Sequence, residues 1–168
     1  LFQDDTGTPL DFYDAVVGGR SVATPGTIQL LWDTHQKYGK LKWADLIEPV
    51  VKVAEQGFIV SPRLATLIEK DAERLSRFPT TKAYFFNSDG SAKSAGTVLK
   101  NPAYAATLSA VAKDGAIAFY QGKTAKNIIE TVQNASSNPG VLAQKDFDAY
   151  SIKQRKPVCS AYQSYDIC

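Results

Sequence analysis

Ile28, Leu31, Trp32 and His35 recur at helical spacing, and so do Trp43, Leu46, Ile47, Val50, Val53 and Ala54 a little further on. The pattern predicts a first helix over about 25–38 and a second over about 43–56. Pro49 lies inside the second, where it removes an amide donor and should kink or split the helix. A third run, Leu64, Leu67, Ile68 and Leu75 among charged residues, predicts a surface helix over about 61–76. Tyr104, Ala105, Leu108, Val111 and Ala112 mark a fourth over 102–114, and Ile128, Ile129 and Val132 a fifth over about 123–135. Three of these runs open alike, at Thr24-Pro25, Ser61-Pro62 and Asn101-Pro102. In each, a side-chain oxygen can cap the first turn and the proline loses no bond. Gly39, Gly57 and Gly115 stand where a left-handed residue would end a helix.

Elsewhere the helical period fails. From Phe78 to Lys100 the chain reads as a loop, with Tyr84-Phe85-Phe86 as a short extended piece and Asn87-Ser88-Asp89-Gly90 as a turn. Phe119-Tyr120 reads as a short turn, and Asn138-Pro139-Gly140 breaks the chain. A last short helix is expected over 144–150, with Ala143 where a capping oxygen would help. Residues 151–155 and 158–167 look extended. The reading is mainly α: an extended lead-in over 1–24, a helical bundle subdomain over 25–150, and a β-hairpin over 151–168.

Composition narrows the function classes. The 168 residues, 44% of them hydrophobic, suffice for one ordinary domain. The 19 basic and 17 acidic residues leave a net charge of +2, too small and dispersed to imply nucleic acid as partner. No apolar run is long enough for a membrane span, and Leu1-Phe2-Gln3-Asp4-Asp5 lacks the basic and apolar regions of a signal peptide. With no Met in the chain, a piece of a longer polypeptide is expected. Its 8 Tyr, 8 Phe and 2 Trp do not alternate with Lys or Arg on one face, so core packing explains them better than base stacking.

Candidate chemistry is sparse. His35 is the lone histidine, and Asp33, two residues earlier, points to a different side of the same helix, a poor geometry for a dyad. One His and two late Cys give no metal-ligand cluster. Asp4-Asp5 and Asp146/Asp148 sit at turns or helix starts, where solvated carboxylates are common. Gly18-Gly19 lacks the remaining glycine of a dinucleotide fingerprint, and Asn134-Ala135-Ser136 fits a glycosylation acceptor at a helix end. No catalytic, cofactor-binding or metal residue is therefore assigned.

The order of motifs is more specific. Pro25-Gly26-Thr27 is followed by His35-Gln36-Lys37-Tyr38-Gly39, a Pro49-containing helix that ends in Gly57-Phe58, and Ser61-Pro62-Arg63-Leu64. Then come Asp89-Gly90, Gly96, Gly115 with Ala118-Phe119-Tyr120-Gln121-Gly122, Asp146-Phe147-Asp148-Ala149-Tyr150, and Pro157-Val158 leading to Tyr162-Gln163-Ser164-Tyr165. In this order they resemble the large subunit of the γ-glutamyltransferases. The resemblance covers nearly the whole chain, most weakly before Ser21 and around 77–83.

It implies a proenzyme of the αββα N-terminal nucleophile fold, cleaved so that a threonine becomes the first residue of a small subunit and attacks the γ-glutamyl carbonyl of glutathione. It places this chain in a mainly helical middle part of the large subunit. The nucleophile and oxyanion-hole glycines would follow Cys168, and the arginine for the substrate α-carboxylate would precede Leu1. Thr24 and Thr27 are internal and take no nucleophilic role. The implied partners are the remainder of the large subunit, the small catalytic subunit, and glutathione or another γ-glutamyl compound. No cofactor is implied, and the implied location is periplasmic or secreted. The alternative is a free-standing helical binding module without catalysis.

Strand register adds one expectation that the family does not supply. If Gln163-Ser164 form a two-residue turn, Tyr162 faces Tyr165, Ala161 faces Asp166, Ser160 faces Ile167 and Cys159 faces Cys168. The cysteines then form a non-hydrogen-bonded pair, close enough for a disulfide. Such a bond implies an oxidising compartment, in agreement with the location the resemblance implies.

Overall fold

The computed structural model describes residues 2–168, about half of them helical. Helix α1 spans Phe12–Val16, α2 Thr27–Tyr38 and α3 Trp43–Gln56. Strand β1, Phe58–Ile59, leads to α4, Pro62–Lys70, α5, Ala72–Leu75, and α6, Pro79–Phe85. Strand β2, Val98–Leu99, precedes α7, Pro102–Asp114, α8, Ile117–Tyr120, α9, Gly122–Gln133, and α10, Gln144–Asp148. Strands β3, Ser160–Tyr162, and β4, Tyr165–Ile167, end the chain. Each sheet has two antiparallel strands, β1 with β2 and β3 with β4.

Side-chain caps decide where the predicted ends hold. Asn101 Oδ1 accepts from the Tyr104 amide at 3.0 Å, and α7 begins at Pro102 and stops before Gly115, at φ +72°. Ser61 Oγ caps α4 likewise through Leu64. Helix α2 differs: its N-cap is Gly26, without a side-chain cap, so Thr24-Pro25 is not its start. Helix α3 runs unsplit through Pro49. The third predicted helix is two, α4 and α5, divided at Asp71, and Leu67 is exposed while Ile68 is buried. Helix α6 occupies part of the expected loop and takes in Tyr84 and Phe85, so the extended reading there is wrong; only Phe86 bridges, to Ala92. Its Pro79 sits at the first helical position after Phe78, a start that lacks the oxygen signal of the other three.

The principal helix pair is α3 with α7. Trp43 Nε1 donates to Val111 O at 2.7 Å, and Asn101 N donates to Ala54 O at 2.8 Å, so the two helices run antiparallel. The β1–β2 pairing, Phe58 with Leu99 and Ile59 with Val98, closes the same end. A second packed layer joins α8, α9 and α10 around Ala116, Tyr120, Ala125, Val132, Leu142 and Phe147, against which Ile28 and Trp32 of α2 pack.

The lead-in over 1–24 is not simply extended. It carries α1, and Ala15 is buried. Arg20 N donates to Asn138 O at 2.7 Å, and Asn138 Nδ2 donates to Asp14 O and, at 3.0 Å, to Val17 O. Gly18 and Gly19 permit this approach: a Cβ on either would lie 2.1 Å from the carbonyl oxygen of Ser137 or Val132. The glycine pair thus serves a backbone crossing.

The terminal hairpin has the register Ser160 with Ile167, Ala161 with Asp166 and Tyr162 with Tyr165. Cys159 and Cys168 are joined by a disulfide, their Cα atoms 4.2 Å apart.

Candidate functional site

The most elaborately built locus is the start of α2. Gly26 supplies no capping oxygen, and a residue far along the chain does so instead. Tyr120, at the end of α8, accepts from Gln29 N at 3.2 Å and donates its own proton to Pro25 O at 2.5 Å. Its ring stacks on Tyr150 with centroids 5.8 Å apart and meets Phe147 edge-on at 6.0 Å. Burial disfavours the phenolate and raises the Tyr120 pKa, while the Gln29 amide opposes that shift. Gly26 leaves room for Tyr150, whose hydroxyl would lie 2.0 Å from a Cβ placed there. The tyrosine cap was invisible to local sequence reading, because Tyr120 lies 91 residues from Gln29.

His35 is held by packing and by two polar contacts, Leu41 O at Nε2 and the Gln36 side-chain amide, 3.4 Å away, at Nδ1. Its ring lies 5.2 Å from that of Trp43, which meets Trp32 edge-on at 5.2 Å. Nε2 is 2.8 Å from Leu41 O. A carbonyl oxygen only accepts, so Nε2 is the protonated nitrogen. Asp33 instead accepts from Gln29 Nε2 at 2.8 Å, and the two candidate partners are not joined.

Asp4, Asp146 and Asp148 have local tasks. Asp4 accepts from the Thr6 hydroxyl and from the Thr6 and Thr8 amides, which hold its carboxyl below the usual range, the Thr6 hydroxyl most of all. Asp146 accepts from Ala143 N at 2.9 Å, supplying from the third helical position the end contact that Ala143 lacks. Asp148 accepts from Gln144 Nε2 at 2.9 Å. Asn134 is exposed at the end of α9 and donates to Glu130 O at 2.8 Å. Thr27 is the first residue of α2 and Thr24 lies three residues before it. Among the described residues no three His, Cys, Asp or Glu side chains come together as a metal would require.

One concavity is strongly apolar. A groove of about 540 Å³ runs between α2, α3 and α7, lined by Leu31, His35, Leu46, Val50, Tyr104 and Leu108 among others. Leu31, Leu46, Val50 and Tyr104 are each about half exposed, so much of the α3 stripe faces outward.

The chain is thus mostly helical, with an apolar flank left exposed between α2, α3 and α7. The gamma-glutamyltranspeptidase family profile matches residues 1–168, and the chain belongs to that family. It is 34% identical over 167 residues to the glutathione hydrolase proenzyme of Bacillus subtilis, covering 99% of this chain and 28% of that protein. It is 31% identical over 166 residues to the acylase ACY 1 proenzyme of Pseudomonas sp. strain V22, covering 98% of this chain and 29% of that one. Among solved structures, the Helicobacter pylori gamma-glutamyltranspeptidase superposes with a TM-score of 0.91 at 30% identity, over 99% of this chain and 47% of that chain. The Bacillus anthracis transpeptidase CapD superposes with a TM-score of 0.72 at 29% identity, over 85% of this chain and 47% of its own. The chain thus spans less than a third of the length of the curated relatives it matches.

Proposed function

We propose that this chain is the helical scaffold of a γ-glutamyltransferase large subunit and does no chemistry by itself. The observation that carries the reading is the family match over 1–168, together with the superposition on the Helicobacter pylori enzyme over 99% of the chain. Amide cleavage by an N-terminal nucleophile needs a hydroxyl activated by its own α-amine, and donors aimed at the developing oxyanion. Thr24 and Thr27 are internal to the chain and adjoin a helix start already occupied by Tyr120.

On this reading residues 25–150 form a helical subdomain, and the hairpin over 151–168 joins a sheet of the parent enzyme. The α2–α3–α7 groove is the surface on which the rest of the large subunit or the small subunit rests. Half-exposed Leu31, Leu46, Val50 and Tyr104 support that placement, because apolar side chains gathered along one groove mark contact surfaces. The parent hydrolyses or transfers the γ-glutamyl group of glutathione or a related compound, in a periplasmic or secreted setting that suits the Cys159–Cys168 bond.

The test is incubation of the purified chain, beside the full-length proenzyme, with a chromogenic γ-glutamyl anilide. The proenzyme should turn over and the chain should not. Turnover by the chain, abolished by substituting a residue within it, would overturn the scaffold reading.

A further inference from the structure

We propose that Asp89 is a modification site held in check by its own turn: when Ser91 releases the Asp89 side chain, the Gly90 amide closes on it and isoaspartate forms. The turn is closed by the bridge of Phe86 with Ala92. Gly90 N donates to Asn87 O at 3.0 Å and Asn87 N to Ser91 O at 2.8 Å, with Gly90 in the left-handed place of a bulged hairpin, at φ +85°. Asp89 Oδ1 accepts from Ser91 N at 2.9 Å and from Ser91 Oγ at 2.6 Å. Asn87 Nδ2 donates in turn to Ser91 Oγ at 3.0 Å. These partners all lie within residues 86–92, so the turn stands whatever a longer chain lays over it.

An aspartate before glycine is chemically labile, because no side chain shields the next amide nitrogen. Crowding does not keep the two groups apart here, since a Cβ at Gly90 would meet nothing within 4 Å. Hydrogen bonding does. Ser91 holds the carboxylate, and Asn87 O holds the Gly90 proton that must leave before the nitrogen can bond carbon. The Ser91 hydroxyl most of all, then its amide, keeps the Asp89 carboxyl below the usual range, so the neutral acid that can lose water is scarcer. The step itself is a dehydration followed by a hydration. Gly90 N bonds to Asp89 Cγ, the carboxyl hydroxyl leaves with the amide proton as water, and a succinimide ring forms. Water then opens the ring at either carbonyl, which restores aspartate or leaves the main chain routed through the side-chain carboxyl. The added methylene would break the register of Phe86 with Ala92.

Ageing of the full-length protein at mildly acidic pH tests the proposal. Trypsin then releases the peptide Ala83 to Lys93, in which isomerised Asp89 elutes apart at unchanged mass, whereas deamidated Asn87 is heavier. Native protein should form isoaspartate at least about tenfold more slowly than the same protein in guanidinium chloride. Ser91→Ala, aged where circular dichroism shows it folded, should form it about tenfold faster than the unsubstituted native protein. Ser91→Thr keeps the hydroxyl and should age like the unsubstituted protein. The comparison of native with unfolded protein needs no variant to fold. Equal rates in those two states, a folded Ser91→Ala protein as slow as the unsubstituted one, or Ser91→Thr as fast as Ser91→Ala would each overturn it.

Discussion

The surroundings of Tyr120 and the terminal hairpin are stabilised in opposite ways. Tyr120 is 6% exposed and gathers partners from five places: Pro25, Gln29, Gln144, Phe147 and Tyr150. No covalent link is needed, because ring packing and satisfied polar atoms act together. The hairpin has a regular register and a disulfide, yet lacks any buried residue. Local regularity and tertiary stability are therefore separable within one short chain. The first region resists change through packing, and the second through topology.

Truncation at the first region should show the largest effect. Tyr120→Ala removes the stacked ring and the cap of α2 together, and an aromatic deletion of this kind costs about 3–5 kcal/mol, read as a lowered denaturant midpoint. Tyr120→Phe keeps the ring and removes the hydroxyl, which should cost about 1–2 kcal/mol as Pro25 O and Gln29 N lose their partner. Equal losses in the two variants would show that the cap, and not the packing, dominates.

The same hydroxyl separates the regions by pH. Burial raises the Tyr120 pKa, so the unfolded chain ionises this group more readily than the folded one. Its contribution is complete below the unfolded tyrosine pKa of about 10 and is lost as pH rises through the higher folded value. Alkaline melting should therefore steepen in the unsubstituted chain relative to Tyr120→Phe. Parallel pH profiles of the two proteins would contradict the assignment.

The smallest effect belongs to the hairpin. Gln163→Gly relieves the left-handed strain and should favour the closed turn by about 1 kcal/mol, visible as slower amide exchange across 160–167 with no change in the melting of the helical core. A shift in the core transition would mean that the two regions are coupled.

The same contrast explains what could be read from the sequence. Helix α7 was legible at both ends because Asn101, Pro102 and Gly115 act within one turn of the positions they govern. The hairpin register was legible because a two-residue turn fixes every pair beyond it. The start of α2 was not legible, since its cap arrives from Tyr120, 91 residues from Gln29. Helix α6 escaped because Phe78 carries no capping oxygen and Thr80, Thr81 and Lys82 give no apolar period. The outward turn of Leu46 and Val50 was hidden too, for periodicity shows that a stripe exists and not what covers it. Family membership was plain from the order of the motifs, while the candidate site offered only isolated groups, of which His35, Asp4, Asp146 and Asp148 find partners close by in the chain.

The backbone crossing at Gly18 and Gly19 bears on the order in which the chain assembles. Asn138 grips the carbonyl of Val17 from 121 positions away. Bringing such distant segments together from a flexible chain costs roughly 4 kcal/mol in closure entropy, whereas the turn between α8 and α9 costs far less. Formation of the α3–α7 pair and the α8–α10 layer shortens that loop before it must close. The lead-in is therefore expected to dock last, and pulse-labelled exchange should find the Arg20 amide, bonded to Asn138, among the final ones to gain protection.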